Sequence, residues 1–144
     1  MSAKISLSEC EKLGISFPCS RMENEELRFR LMGQGGYGYI LTVMPEGKGG
    51  WQKSHTHERV CETYIVQRGW IGFAKILPGG DLSISVHGEG DLFTTKPGVA
   101  HNVYMAPGAV IHTVKHGDCT EKDWVPAPQL DELTLHLTEK EVKR

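Results

Sequence analysis

No apolar run in the 144-residue sequence approaches the roughly 20 residues that a membrane-spanning helix needs, so no membrane partner is expected. The opening MSAKISLSECEKLG lacks an apolar core of signal-peptide length, which leads to the expectation of a cytoplasmic protein. The four cysteines, Cys10, Cys19, Cys61 and Cys119, include no CxxC pair. That excludes a zinc ribbon and a thioredoxin motif and leaves reduced thiols as the expectation. Runs of like charge are absent, and 16 basic residues stand against 18 acidic ones for a net charge of -2. A non-specific nucleic-acid binder would be basic, so no nucleic-acid partner is expected. Internal repeats and linker-like stretches are missing as well, and the length suits one domain with a core that needs no disulfide.

Two residue types are plentiful. The 17 glycines suggest many tight turns and hence a strand-rich chain. The 7 histidines suggest a metal site or acid–base chemistry, and six of them (His55, His57, His87, His101, His112, His116) lie between 55 and 116.

Residues 6–14 read as a short helix, with Ser8 and Glu11 as its capping box and Gly14 as its stop. FPCSRMENE reads as loop. From Leu27 the pattern turns to short apolar or alternating runs: LRFRLM, YGYILTVM, CETYIVQ, GWIGFAKIL, LSISVH, VAHNVYM and AVIHTVKH. The separators GQGG, PEGKGG, PGGD, GEGD and APG all carry the glycine that tight turns ask for. Seven or more short strands with no helix between them predict an all-β sandwich or barrel. PAPQ ends that region. The tail LDELTLHLTEKEVKR is ambiguous: Leu133, Leu135 and Leu137 alternate as in a strand, whereas TEKEVKR favours helix.

The chemistry concentrates in GGWQKSHTHERVCETYIVQRG and GEGDLFTTKPGVAHNVYM. On a strand, side chains two apart share a face, so His55 and His57 present two imidazoles to one point. Glu62 follows, and two imidazoles with a carboxylate are a common ligand set for first-row transition metals. His101 opens a strand after the Pro97-Gly98 turn, from which it can return to the first two. Glu58 is a rival carboxylate, but adjacency to His57 turns it to the opposite face. Tyr64 shares parity with Glu62 and faces the same interior. Val103 and Met105 share parity with His101, whereas Asn102 and Tyr104 should face away. Tyr37 and Tyr39 are candidates to cap the opening, and Trp51, Gln52 and Lys53 form a candidate rim loop. His87, His116 and His136 read as surface or turn residues.

These two segments resemble the cupin family. Its first motif maps onto Gly49, His55, His57, Glu62 and Gly69 without gap or substitution. Its second maps more loosely onto Gly90, Pro97, Gly98 and His101: six residues rather than five precede Pro97, the P-x-G is contracted, and Met105 stands at the asparagine position. The resemblance covers roughly 49–105. It implies a double-stranded β-helix, the cupin jelly-roll barrel, here with a short N-terminal helix. The barrel core would run over roughly 27–125 of one 1–144 domain, with 1–26 and 126–144 as appendages. It also implies one divalent transition metal ion (Fe, Mn, Ni, Zn, Co or Cu) held by His55, His57, Glu62 and His101.

Such a ligand set leaves one or two positions open, which separates a catalytic site from a closed structural one. The expected function is a metal-dependent enzyme on a small polar molecule, such as an isomerase or epimerase of a sugar or sugar derivative. His112 or Tyr64 would then move the proton. The alternatives are an Fe(II)-dependent dioxygenase and a non-enzymatic small-molecule binding protein. The roughly 25 residues before the barrel are not basic enough to read a DNA groove, which weakens a sensor reading. Jelly rolls commonly pair through edge strands, so a homodimer is the default expectation.

Overall fold

In the computed structural model the described residues are 6–33, 37–119 and 123–144. The cap of helix α1 (Leu7–Leu13) lies two residues earlier than its sequence cue suggested: Ser6 caps it in a reciprocal box with Glu9, not Ser8 with Glu11. Both serines satisfy the same S-x-x-E spacing, and the earlier one places Glu9 in the first turn, where the helix dipole favours it. Gly14 ends the helix in the left-handed conformation, as expected.

Among the described residues twelve strands follow: β1 (Cys19–Arg21), β2 (Leu27–Met32), β3 (Gly38–Val43), β4 (Gly50–Trp51), β5 (His55–Thr56), β6 (Val60–Arg68), β7 (Trp70–Ile76), β8 (Leu82–Gly88), β9 (Leu92–Thr95), β10 (His101–Met105), β11 (Val110–Gly117) and β12 (Val125–Pro126). They form two antiparallel sheets, ordered β1-β2-β3-β11-β6-β9 and β12-β5-β10-β7-β8, with β4 paired to β10. All seven predicted strands are present. β1 falls in the stretch read as loop, because CSR is short and polar and pairs only with the edge of β2. β9 escaped notice for a similar reason: LFTT follows directly on the GEGD turn. Of the GQGG turn, residues 34–36 lie outside the described residues.

The core fills the space between the sheets and continues beneath the C-terminal segment. Met44, Val66, Ile71, Met105 and Ile111 are buried in it. Gly69 makes the tight β6–β7 hairpin possible: its φ is 72°, and a Cβ there would meet the Ala109 backbone at 3.2 Å.

The ambiguous tail is helical. α2 (Pro128–Thr134) begins with proline at its first turn, and α3 (Glu139–Val142) begins with a Thr138–Glu141 capping box. The spacing that matters is helical: Leu130 and Thr134 are both buried, while Leu133 and Leu135 stay exposed. The segment read as an appendage therefore supplies Leu130 and Val142 to the core. Asn102 and Tyr104 face away from the barrel interior, as their parity predicted, yet are buried against this segment: Asn102 donates to Thr134 Oγ1 at 3.1 Å. Among the described residues no helix is long and apolar enough to cross a membrane.

Candidate metal centre

β5 and β10 pair so that His55 lies directly opposite His101, and β6 carries Glu62 in from the other sheet. His57 follows β5 by one residue and points the same way as His55. The candidate ligand atoms of His55, His57, Glu62 and His101 all lie within 4.8 Å of one another. Glu62 Oε1 sits 2.8 Å from His57 Nε2, 3.1 Å from His101 Nε2 and 3.5 Å from His55 Nε2. Glu58 is exposed and lies outside this group.

The back of each ring is held by a backbone carbonyl. His55 Nδ1 faces Lys53 O at 3.0 Å, His101 Nδ1 faces Val99 O at 2.9 Å, and His57 Nδ1 faces Asp123 O. A carbonyl only accepts, so each Nδ1 must carry the proton and donate it. A neutral ring then presents a bare lone pair at Nε2. Three such lone pairs and one carboxylate converge in a buried space, with the Tyr64 hydroxyl as a donor beside them. His57 Nε2 accordingly lies close to Glu62 but makes no hydrogen bond of acceptable geometry. Charging all three rings in so buried a place is costly. The cluster fits a single divalent metal ion, and backbone carbonyls behind the imidazoles are the usual support of such a site.

The carboxylate and the rings also shift one another's titration. Burial alone would raise the Glu62 pKa, yet contact with His101, His55 and His57 holds it well below the ordinary carboxylate range. Burial pushes the His55 pKa down; for His57 burial acts the same way but is outweighed by Glu62, so its pKa rises.

Tyr64 lies where its parity placed it. It is buried between Phe93 and Phe73, donates to Glu62 Oε1 at 3.2 Å and stands 3.4 Å from His101 Nε2. Burial, then the Glu62 charge, pushes its hydroxyl pKa well above the ordinary tyrosine value.

His112 is not brought to the site, which corrects the expectation that it moves a proton there. Its register partners Leu41 and Ile65 lie on the outer face of the six-stranded sheet, whereas Ile40, Thr42, Tyr64 and Thr113 line the cavity. His112 is held outside by Tyr39 Oη and Gln67 Oε1, each at 2.5 Å. Tyr39 is thus on the outer face too rather than over the opening, and Tyr37 is exposed with a contact to Gly117 O. His87 stacks on Phe93 and His116 meets Thr63, neither near the ligands. Of the expected rim, Gln52 lines the cavity, Trp51 is core, and Lys53 is exposed against Glu23.

The cavity beside the cluster measures about 420 Å³, within the range of small-molecule sites. Several of its residues carried no sequence cue. Trp124 stacks on His55, and Asp123 uses its carboxylate to accept from the backbone N–H groups of Glu58, Arg59 and Val60. Arg28, Arg30, Thr113 and Lys115 also line it.

No protein-family model matches the chain, and no curated protein matches it. Solved structures do. A tryptophan variant of Bacillus subtilis oxalate decarboxylase superposes with a TM-score of 0.62 at 15% identity, over 89% of this chain and 37% of that one. An arginine variant of the same enzyme gives 0.61 at 20% identity, over 88% and 33%. The chain has the cupin fold. A further structure of that enzyme, described for its Mn(II) centres, gives 0.61 at 16% identity, over 89% and 37%. The chain spans about a third of the length of these cupins.

Proposed function

We propose that this metal-binding cupin is a metal-dependent enzyme acting on a small polar molecule. The carrying observation is the convergence of three proton-free Nε2 atoms and the Glu62 carboxylate at the wall of an enterable cavity. His55, His57, Glu62 and His101 would hold the ion, which supplies Lewis acidity or, as Fe(II), redox chemistry. The chain's own residues do the rest. Lys53 O, Asp123 O and Val99 O orient the rings. Tyr64 holds its hydroxyl proton against Glu62, and its raised pKa keeps it protonated, a hydrogen-bond donor rather than a base.

That last point weighs on the choice of reaction. Isomerisation or epimerisation of a sugar derivative requires a base in the cavity, and His112 is outside it. Oxygen-dependent oxidation asks for little acid–base machinery, so the absence of His112 from the cavity favours the dioxygenase as the second reading. Metal analysis followed by oxygen-consumption assays of the Fe(II)-loaded protein tests both. Oxygen uptake with a substrate supports oxidation, and turnover without it supports isomerisation. A protein that takes up no metal overturns the proposal.

The homodimer expected from the sequence is supported by the outer face of the six-stranded sheet, where Phe29, Ile65, Leu92 and Val114 are exposed. Light scattering of the wild type and Phe29→Glu tests it: the wild type should run at twice the 16.0 kDa chain mass and the variant at the chain mass.

A further inference from the structure

The cavity wall is cationic both beside the ligands and across from them. Arg28 and Arg30 project into it from β2, and Lys115 from β11, where its register partner on β6 is Glu62. The nearby carboxylates are already committed. Glu26 is fully buried and accepts from Arg28 Nε at 2.5 Å, Asn24 Nδ2 at 2.9 Å and Gln52 Nε2 at 3.1 Å. Glu62 faces the imidazoles, and Asp123 caps three backbone amides. Among the described residues no carboxylate lies within ion-pair distance of Arg30 or Lys115, although the Glu26 charge, paired to Arg28, acts on Arg30 from farther off. The Arg30 guanidinium instead has two neutral partners, Ser20 Oγ at 2.6 Å and Met22 Sδ at 3.8 Å.

Charge in that place is unfavourable as it stands. Burial, then the neighbouring Arg28, presses the Arg30 pKa below its ordinary value. Glu26 meanwhile fixes Arg28 through Nε and Nη2, which leaves its remaining N–H groups free to grip a second acceptor. A guanidinium locked by a buried carboxylate is a preorganised oxyanion receptor.

We propose that the cavity takes a small molecule bearing an oxyanion, a carboxylate or a phosphate, held by Arg30 and Lys115 with Arg28, while its other polar end faces His55, His57, Glu62 and His101. The inference rests on the metal-binding reading above and narrows its substrate class from polar to anionic. The dimensions suit it: β2 and β6 are three strand spacings apart, roughly 14 Å, and the arginine side chains reach into that gap. A molecule of a few carbon atoms spans the remainder. A neutral sugar would leave the cations unanswered, whereas its phosphate or acid would not.

Calorimetric titration of the metal-loaded protein with succinate, inorganic phosphate and neutral succinamide tests this at low salt. Succinate or phosphate should bind at least tenfold more tightly than succinamide, and the better of the two identifies the anion class. Arg30→Gln and Lys115→Gln should each weaken the preferred anion about tenfold while metal content stays at the wild-type level. Arg30→Lys should recover part of the loss. Succinamide binding as tightly as either anion overturns the proposal. So does failure of both anions to bind, or indifference of their affinity to Lys115→Gln, which sits on a different strand and guards against a folding defect in the arginine variant. Metal content, measured separately, reports on the underlying reading. Repeating the titration on chelator-treated protein keeps the two apart, because the effect of Arg30→Gln persists there only if the cationic wall binds the anion itself.

Discussion

Around the cavity, the two faces of the six-stranded sheet invert the usual assignment of polar and apolar residues. The inner face carries Arg28 and Arg30 on β2, Thr42 on β3, Thr113 and Lys115 on β11, and Glu62 and Tyr64 on β6. The outer face carries Phe29, Ile65 and Val114 exposed, with Tyr39 and His112 beside them. A strand normally turns its apolar side to the core. Here part of the inside of one sheet is given over to a cavity, and the apolar core fills the rest of the space between the sheets, where Val66 and Ile111 meet Ile71 and Met105, and continues to Leu130 and Val142 of the C-terminal helices. The two classes of histidine follow the same division. Those inside are held by carbonyls at Nδ1 and turn Nε2 toward Glu62, whereas His112 is bonded at both nitrogens on the outer face.

The sharpest way to break that contrast is to substitute one histidine on each side. His57→Ala should abolish stoichiometric metal binding, while His112→Ala should leave it unchanged. Elemental analysis of the two purified variants reads both. Removing the metal should come next in size. Ligand binding at about a thousandfold excess over its dissociation constant stabilises the folded state by about 4 kcal/mol. Chelation should therefore lower the melting temperature on the order of 10 °C, as followed by circular dichroism. A smaller loss is expected for Glu26→Ala, which strips the partner from Arg28 at a fully buried position. Breaking such a pair costs about 3 kcal/mol and is read by chemical denaturation. His112→Ala marks the lower end. It gives up two hydrogen bonds at a partly exposed position, so about 1 kcal/mol or less is expected in the same denaturation experiment.

The ligands were legible in the sequence because their signals are local. The H-x-H pair uses the two-residue period of a strand, and Glu62 with Gly69 fixes the frame that follows. His101 was legible from the turn before it. Arg28 and Arg30 were not, although the same period puts them on one face. In LRFRLM the other face is Leu27, Phe29 and Leu31, and hydrophobicity alone would turn that face inward. Only the pairing of β2 with β3 shows otherwise, since it aligns Arg28 with Thr42 and Phe29 with Leu41. His112 failed in the opposite direction: its strand was recognised, but nothing within AVIHTVKH tells which side meets the cavity. Asp123 and Trp124 act on His57 and His55 from more than 60 residues away, in a segment with no periodicity to read. The tail was misleading for a different reason. Leu133, Leu135 and Leu137 alternate by composition, while Pro128 and the Thr138–Glu141 box set the helical frame that decides burial.

The central claim is that His55, His57, Glu62 and His101 hold one divalent ion. Elemental analysis of wild-type protein and His57→Ala, purified side by side after exposure to the same metal mixture, tests it most directly. The account predicts about one transition-metal ion per chain in the wild type and almost none in the variant. A wild type that carries no metal, or a variant that keeps it, would contradict it.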